Sequence, residues 1–311
     1  MNPPTHMDGG PKHADPADPA SPAGARVHML SVDVEEYFQV EAAAACVRPD
    51  QWDSIPSRLG PPLDRILELL AAAGASATFF ILGWVARRDP ALVRRIANAG
   101  HEVASHGTSH RMVGGLAPAD FRKDVEDSRA LLQDVSGRPV VGYRAPTFSI
   151  TRRTAWAIDV LAEAGYRYDS SVFPIRHDRY GVPGAPRFIH RARGPAGGTL
   201  IEVPPLTLRL GSVNWPVGGG GYLRLLPVRV VAAALRQAER AGRPGMLYLH
   251  PWELDPDQPV LPMGRLGRWR HRVGLRRTAD KLSWLLARFR FSAAAPRLDA
   301  PAGQAVETYA Y

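Results

Sequence analysis

Apolar residues fall into short runs and helical stripes that alternate from residue 26 onward. The segment 26–33, Arg-Val-His-Met-Leu-Ser-Val-Asp, is a mostly apolar run ending in an acid, which predicts a buried strand delivering a carboxylate at its C-terminal end. A helix is predicted over 61–73, with Leu63, Ile66, Leu67 and Leu70 on one face and Gly74 as its stop. The alternation continues with a strand over 76–82, a helix over 90–99, a strand over 101–105 and a helix from 118 to about 135. Next come a strand near 140–143, a helix over 151–164 stopped by Gly165, and a strand near 166–169. Such β-α repetition predicts a parallel sheet or barrel with both faces covered.

Regularity fades between 173 and 226 into Pro, Gly and Arg, which reads as insertion and lid material around one strand at 200–203. Order returns with a helix over 227–241 and a strand over 246–249 that presents His250 at its end. No internal repeat of fixed period is present, which argues against a solenoid.

With 311 residues, 45% of them hydrophobic, the chain can bury a substantial core. The expected division is a disordered leader over 1–25, one α/β domain over 26–260, and a basic extension over 261–311. That extension is expected to hold one helix from about 275 to 289, carrying Leu282, Leu285, Leu286 and Phe289 on one side. Cys46 is the only cysteine, so no intramolecular disulfide and no cysteine-rich zinc cluster can form. A metal must therefore be held by His and carboxylate. The leader lacks the apolar stretch of a signal peptide, and no later run approaches the roughly 18 apolar residues of a spanning helix. A cytoplasmic location is expected, with peripheral attachment at the inner face of the membrane as its rival.

The net charge of +9 is concentrated late: nine Lys or Arg stand between Arg265 and Arg290 against the single Asp280. Charge alone does not choose between an anionic partner and a solvated helix face with a basic tail. No nucleic acid partner is expected; an anionic membrane surface or polymer is the remaining candidate for peripheral contact.

Several predicted strands end in polar clusters that a parallel barrel would gather on one rim. His106 and His110 stand four apart, so both imidazoles can grip one ion, although histidines also cap and pack. A carboxylate from Asp33, Glu35 and Glu36 would complete a set of two His and one acid that leaves coordination positions open; the same residues could instead be the acidic start of a helix. If the strand runs on, Asp33 and Glu35 point the same way and Glu36 the other. Asp33 is then the base and Glu35 the ligand, with Glu36 as substitute if the strand has ended. Arg144, ahead of Ala-Pro, can orient Asp33 by a bidentate contact or be a surface arginine. His250 reads equally as a general acid or a packed histidine.

These clusters, in this order over about 27–255, resemble the polysaccharide deacetylase family, also called the NodB homology domain or carbohydrate esterase family 4. The segments Val-Asp-Val-Glu-Glu-Tyr-Phe and Gly-Gly-Gly-Tyr-Leu-Arg-Leu-Leu-Pro resemble the branch associated with bacterial exopolysaccharide loci. The resemblance implies a distorted (β/α) barrel of the NodB type, with a C-terminal helical extension. It implies a hydrolase that uses a divalent metal ion, zinc by preference, to remove acetyl groups from an acetylated carbohydrate. By it, Asp33 matches the base, His106 and His110 the histidine ligands, Arg144 the residue orienting the base, His250 the general acid, and Asp169 the acid supporting that histidine. Tyr143, Pro146, Thr147 and Trp252 are the expected substrate contacts: Thr147 through a backbone N–H at the oxyanion, Trp252 with Trp215 and Tyr222 by stacking on sugar rings or, alternatively, as core. The chain departs from the family pattern twice. Val34 separates Asp33 from Glu35 where the family has adjacent aspartates, and Gly107 follows the first histidine where Ser or Thr is common and is expected to loosen that loop. The alternatives are a small-amide hydrolase of the same superfamily, allantoinase-like, and a non-catalytic carbohydrate-binding protein.

Overall fold

Eight residues, Val27–Val34, form strand β1, and all but the first are buried, as the apolar run demands. The computed structural model describes residues 26–177, 179–299 and 307–311, so the leader expected over 1–25 lies outside the described residues. After β1 come α1 (Gly60–Ala72), β2 (Thr78–Ile81), α2 (Gly83–Arg88), α3 (Pro90–Asn98), β3 (Glu102–Ser105) and α4 (Pro118–Ser136). The chain continues with β4 (Gly142–Tyr143), α5 (Trp156–Glu163), β5 (Tyr168–Asp169), β6 (His190–Arg193), β7 (Thr199–Glu202), β8 (Thr207–Leu210) and β9 (Val213–Pro216). Then follow α6 (Gly220–Leu225), α7 (Val228–Arg240), β10 (Met246–Leu249), α8 (Arg265–Arg272), α9 (Thr278–Leu286), β11 (Arg290–Ser292), α10 (Ala295–Asp299) and β12 (Thr308–Ala310).

The main sheet runs β10-β1-β2-β3-β4-β5-β7-β6-β12, with β11 also paired to β1. Every pairing from β10 to β7 is parallel, and β6 meets β7 antiparallel. No continuous ladder closes the ring among the described residues. Past β7 the chain returns to β10 through isolated parallel bridges at Pro205–Met246 and Gly219–Tyr248, and Leu206 N–H donates to the Met246 carbonyl at 2.8 Å. The fold is thus an α/β barrel distorted at the seam between β7 and β10. Helix starts follow local chemistry: Asp89 accepts from Leu92 N–H at 3.0 Å and Pro90 opens α3, so the cap and the fixed φ act together.

Two expectations are corrected. The segment 173–226 is not lid material: β6 and β7 extend the main sheet, β8 and β9 form a hairpin, and α6 leads into α7. β6 escaped notice because only His190 and Ala192 face inward while Arg191 and Arg193 face out, too short an alternation to stand out. Among the described residues the extension after 260 holds three helices and two strands instead of one helix. It completes the body of the fold, since β11 pairs with Val27–Met29 of β1 and the α9 residues Leu282, Leu285 and Leu286 join the core. Lys281 closes α6 by donating to the carbonyls of Leu223, Arg224 and Leu226, each at 2.8 Å.

Candidate active site

The C-terminal ends of β1, β3, β4 and β10 meet on one rim, as parallel strands require. β1 ends at Val34, and a tight turn with Glu35 N–H donating to the Asp33 carbonyl brings both acids into the site. Glu36 leaves it: its carboxylate accepts from Arg58 N–H, and burial raises its pKa. The strand thus ends before Glu35, and it is the turn that directs Glu35 inward and Glu36, the expected substitute for an ended strand, away.

Asp33 Oδ1 accepts from Arg144 Nη1 at 2.6 Å. Arg144 is fully buried, and its other donors reach Ser31 Oγ, Ser170 Oγ and the Ser170 carbonyl at 2.8, 2.8 and 3.1 Å, with Phe80 under its guanidinium. A charge so fully hydrogen-bonded cannot rotate away, which fixes the one carboxylate it holds. The contact is through a single nitrogen; Nη2 and Nε, which a second Asp33 contact would have used, both donate to Ser170.

Glu35, His106 and His110 offer ligand atoms that all lie within 4.8 Å of one another. His106 Nδ1 faces the Arg144 carbonyl at 2.8 Å, which places the proton there and leaves Nε2 with its lone pair. Burial lowers the His106 pKa to about 4, so the ring is neutral. For Glu35 burial acts upward, but the charge and hydrogen bond of His110, then His250 and His106, bring it down to about 2. Trp252 Nε1 donates to Glu35 Oε1 at 3.2 Å. Two imidazoles and an ionised acid, with His106 and Glu35 each oriented by a further partner, fit a divalent ion.

His250 faces both acids, with Nε2 3.9 Å from Asp33 Oδ2 and 3.6 Å from Glu35 Oε1, and its side chain is 16% exposed. Its Nδ1 lies 3.2 Å from Glu253 Oε2, and Arg224 Nε donates to Glu253 Oε1 at 2.6 Å. Burial pulls the His250 pKa down, yet Glu253, then Glu35 and Asp33, raise it to about 9.

Here the expectation for Asp169 is corrected. The acid beside His250 is Glu253, while Asp169 is fully buried and accepts from Ser171 Oγ. Its register partner across the strands is Glu202, and the two carboxyl groups hydrogen-bond to each other. Glu253 was legible: His-Pro-Trp-Glu has the i, i+3 spacing of a capping box, and Glu253 Oε2 accepts from His250 N–H at 3.0 Å.

The expected substrate contacts divide as well. Tyr143 is 1% exposed and packs edge-on against Phe121 and Tyr166, so it cannot touch a sugar. Trp252 is 6% exposed, stacked between His250 and His271 at 5.2 and 4.8 Å, and serves Glu35 instead. Pro146 is buried, Thr147 and Tyr222 are partly exposed, and Trp215 is 54% exposed on the β8–β9 hairpin. Thr147 and Phe148 have φ of 58° and 51°, and His110 has 54°; among the described residues these are the only non-glycine residues at positive φ. Their gathering at this rim marks backbone held in strained geometry by its surroundings. Gly107 does not loosen its loop. Its φ is +72°, a Cβ there would lie 2.7 Å from Asp124 Oδ2, and that carboxylate accepts from Thr108 N–H.

The buried Asp169–Glu202 pair yields a stability prediction. Burial raises both carboxyls, Asp169 to about 6 and Glu202 well above the usual carboxylate range, so the pair retains a proton that the unfolded chain releases. The folded state therefore binds more protons than the unfolded state above the ordinary carboxylate range, and stability falls as pH rises, by about 1.4 kcal/mol per pH unit for each retained proton. Glu202→Gln keeps an acceptor for Val172 N–H and a donor for Asp169, and is expected to flatten this slope. Melting temperatures from about pH 5 to pH 7 test it; equal slopes in both proteins refute the shared proton.

Known proteins resemble parts of this chain. Residues 52–168 match the family model described as polysaccharide deacetylase, and 170–298 match one described as a domain of unknown function, DUF3473. A chitooligosaccharide deacetylase of Rhizobium leguminosarum bv. trifolii is 33% identical over 142 residues, 44% of this chain and 63% of that protein. A peptidoglycan-N-acetylglucosamine deacetylase of Bacillus cereus is 31% identical over 104 residues, 32% of this chain and 38% of that protein. The chain thus spans less than two thirds of the length of these relatives. The crystal structure of a protein described as a polysaccharide deacetylase from Mycobacterium smegmatis superposes with a TM-score of 0.57 at 21% identity, over 92% of this chain and 93% of that one, and shares the fold. Residues 52–168 of the chain thus match the polysaccharide deacetylase family. Asp33 and Glu35 precede the segment matched to that family model, and His250 lies in the second matched segment.

Proposed function

We propose that the protein is a metal-dependent hydrolase that removes N-acetyl groups from N-acetylhexosamine units of a poly- or oligosaccharide, in the making of an exopolysaccharide. The observation that supports this is the convergence of an arginine-held Asp33, the Glu35, His106 and His110 cluster, and His250 on one rim. The exopolysaccharide setting rests on the likeness of the segments around Asp33 and Tyr222 to that branch of the family.

Glu35, His106 and His110 would hold the ion, zinc by its preference for such donors, which when bound supplies positive charge that acidifies water and stabilises oxyanion charge. Asp33, fixed by Arg144, takes a proton from the water that attacks the acetamide carbon. The backbone N–H of Thr147 is assigned as donor to the developing oxyanion. His250 gives its Nε2 proton to the sugar nitrogen as the C–N bond breaks, while Glu253 holds its ring. Acetate and a free amino sugar leave.

Acetate release from a panel of N-acetylhexosamine oligomers, with metal content measured on the same preparation, tests the reading. Activity that falls on chelation and returns with zinc supports it. Sugar binding without acetate release points to a non-catalytic binding protein, and turnover of a small cyclic amide alone to a small-amide hydrolase; either outcome overturns it.

A further inference from the structure

We infer that the outward face of α8, with the loop before it and the rim of the adjoining cavity, docks on the surface of an anionic lipid bilayer. The inference stands on this surface alone and does not use the reaction proposed above.

The inner side of α8 is clamped to the body. His271 is buried, with Nε2 3.0 Å from the Tyr37 carbonyl and its ring stacked on Trp252. Arg272 ties the helix to the preceding loop by donating to the carbonyls of Gln258 and Pro256 at 2.7 and 3.1 Å. These contacts orient the opposite face outward. There Leu266 and Trp269, three apart and so on one side of the helix, are 60% and 55% exposed, and Val260 on the tied loop is 56% exposed. Leu225, 47% exposed, lines a neighbouring cavity of about 610 Å³ together with Arg272, Arg276 and Arg277.

Five arginines, Arg265, Arg268, Arg270, Arg276 and Arg277, stand exposed around these apolar side chains. Asp257, 4.0 Å from Arg276, and the exposed Asp280 are the nearby acids that offset them. Arginine surrounding exposed Trp and Leu on a helix that lies flat on the body is the composition of an interfacial element: the guanidinium groups reach lipid phosphates while the apolar side chains enter the acyl boundary. A soluble polyanion would use the arginines but gain nothing from Leu266 or Val260, so the bilayer accounts for both halves of the pattern. Among the described residues no helix is long and apolar enough to cross a membrane, so attachment of this kind is peripheral.

The full chain is tested by co-sedimentation with vesicles of phosphatidylcholine alone and of phosphatidylcholine mixed with phosphatidylglycerol. Binding is expected to the mixed vesicles only, and to weaken with added salt. Arg265→Gln with Arg268→Gln should lower the partition coefficient by roughly twentyfold, each arginine contributing about fivefold. Leu266→Ser with Trp269→Ser should also weaken binding and remove a lipid-dependent blue shift of tryptophan fluorescence. All four residues are exposed, and an unchanged thermal melt confirms folding. Absence of binding to mixed vesicles, or equal binding to both compositions, overturns the inference. So does an apolar double variant that binds vesicles as the parent does while both bind a soluble polyphosphate, which assigns the surface to a polymer.

Discussion

Asp33→Asn is expected to lower kcat for acetate release by about 10²- to 10⁴-fold, the usual loss on removing a positioned proton acceptor. The asparagine keeps an oxygen for Arg144 Nη1 but cannot take a proton from water. The variant is also expected to be less stable, because Arg144 is fully buried and loses its charge partner. Its remaining bonds to Ser31 and Ser170 hold the guanidinium in place. Activity is therefore measured well below the melting temperature, together with metal content. A folded, metal-loaded variant that retains activity removes Asp33 from the chemistry, whereas loss of metal along with activity reports collapse of the site.

Glu35→Gln is expected to lose metal, with affinity reduced well beyond the tenfold to hundredfold typical of an outer partner, and activity falling in parallel. Its neighbour is the control. Glu36 is turned toward Arg58, so Glu36→Gln should leave metal content at the parent level. Metal analysis after dialysis checks both variants. The opposite result, loss in the Glu36 variant only, would move the ligand to the other acid and require the turn after Val34 to differ from that seen.

The apolar runs of β1, β2 and β10 are buried along almost their whole length, so they announce themselves. β6 and α8 do not. β6 alternates over only four residues, and α8 is arginine-rich with one inward histidine, so neither carries a stripe that periodicity can detect. Asp169 shows the same limit at the site: its place after an apolar strand suits a catalytic acid, and only the register with Glu202 shows that it faces the interior.

By itself the sequence determined the β-α alternation and the polar strand ends, because these follow from local periodicity, and it offered Arg144 as a charge-complementary partner for Asp33 that the fold then brought into contact. Tertiary structure alone decided that Trp252 serves Glu35 instead of a sugar and that β11 belongs to the sheet. The physical reason is that those outcomes depend on which faces meet across hundreds of residues, and burial, unlike hydrophobicity, is a property of the assembled molecule.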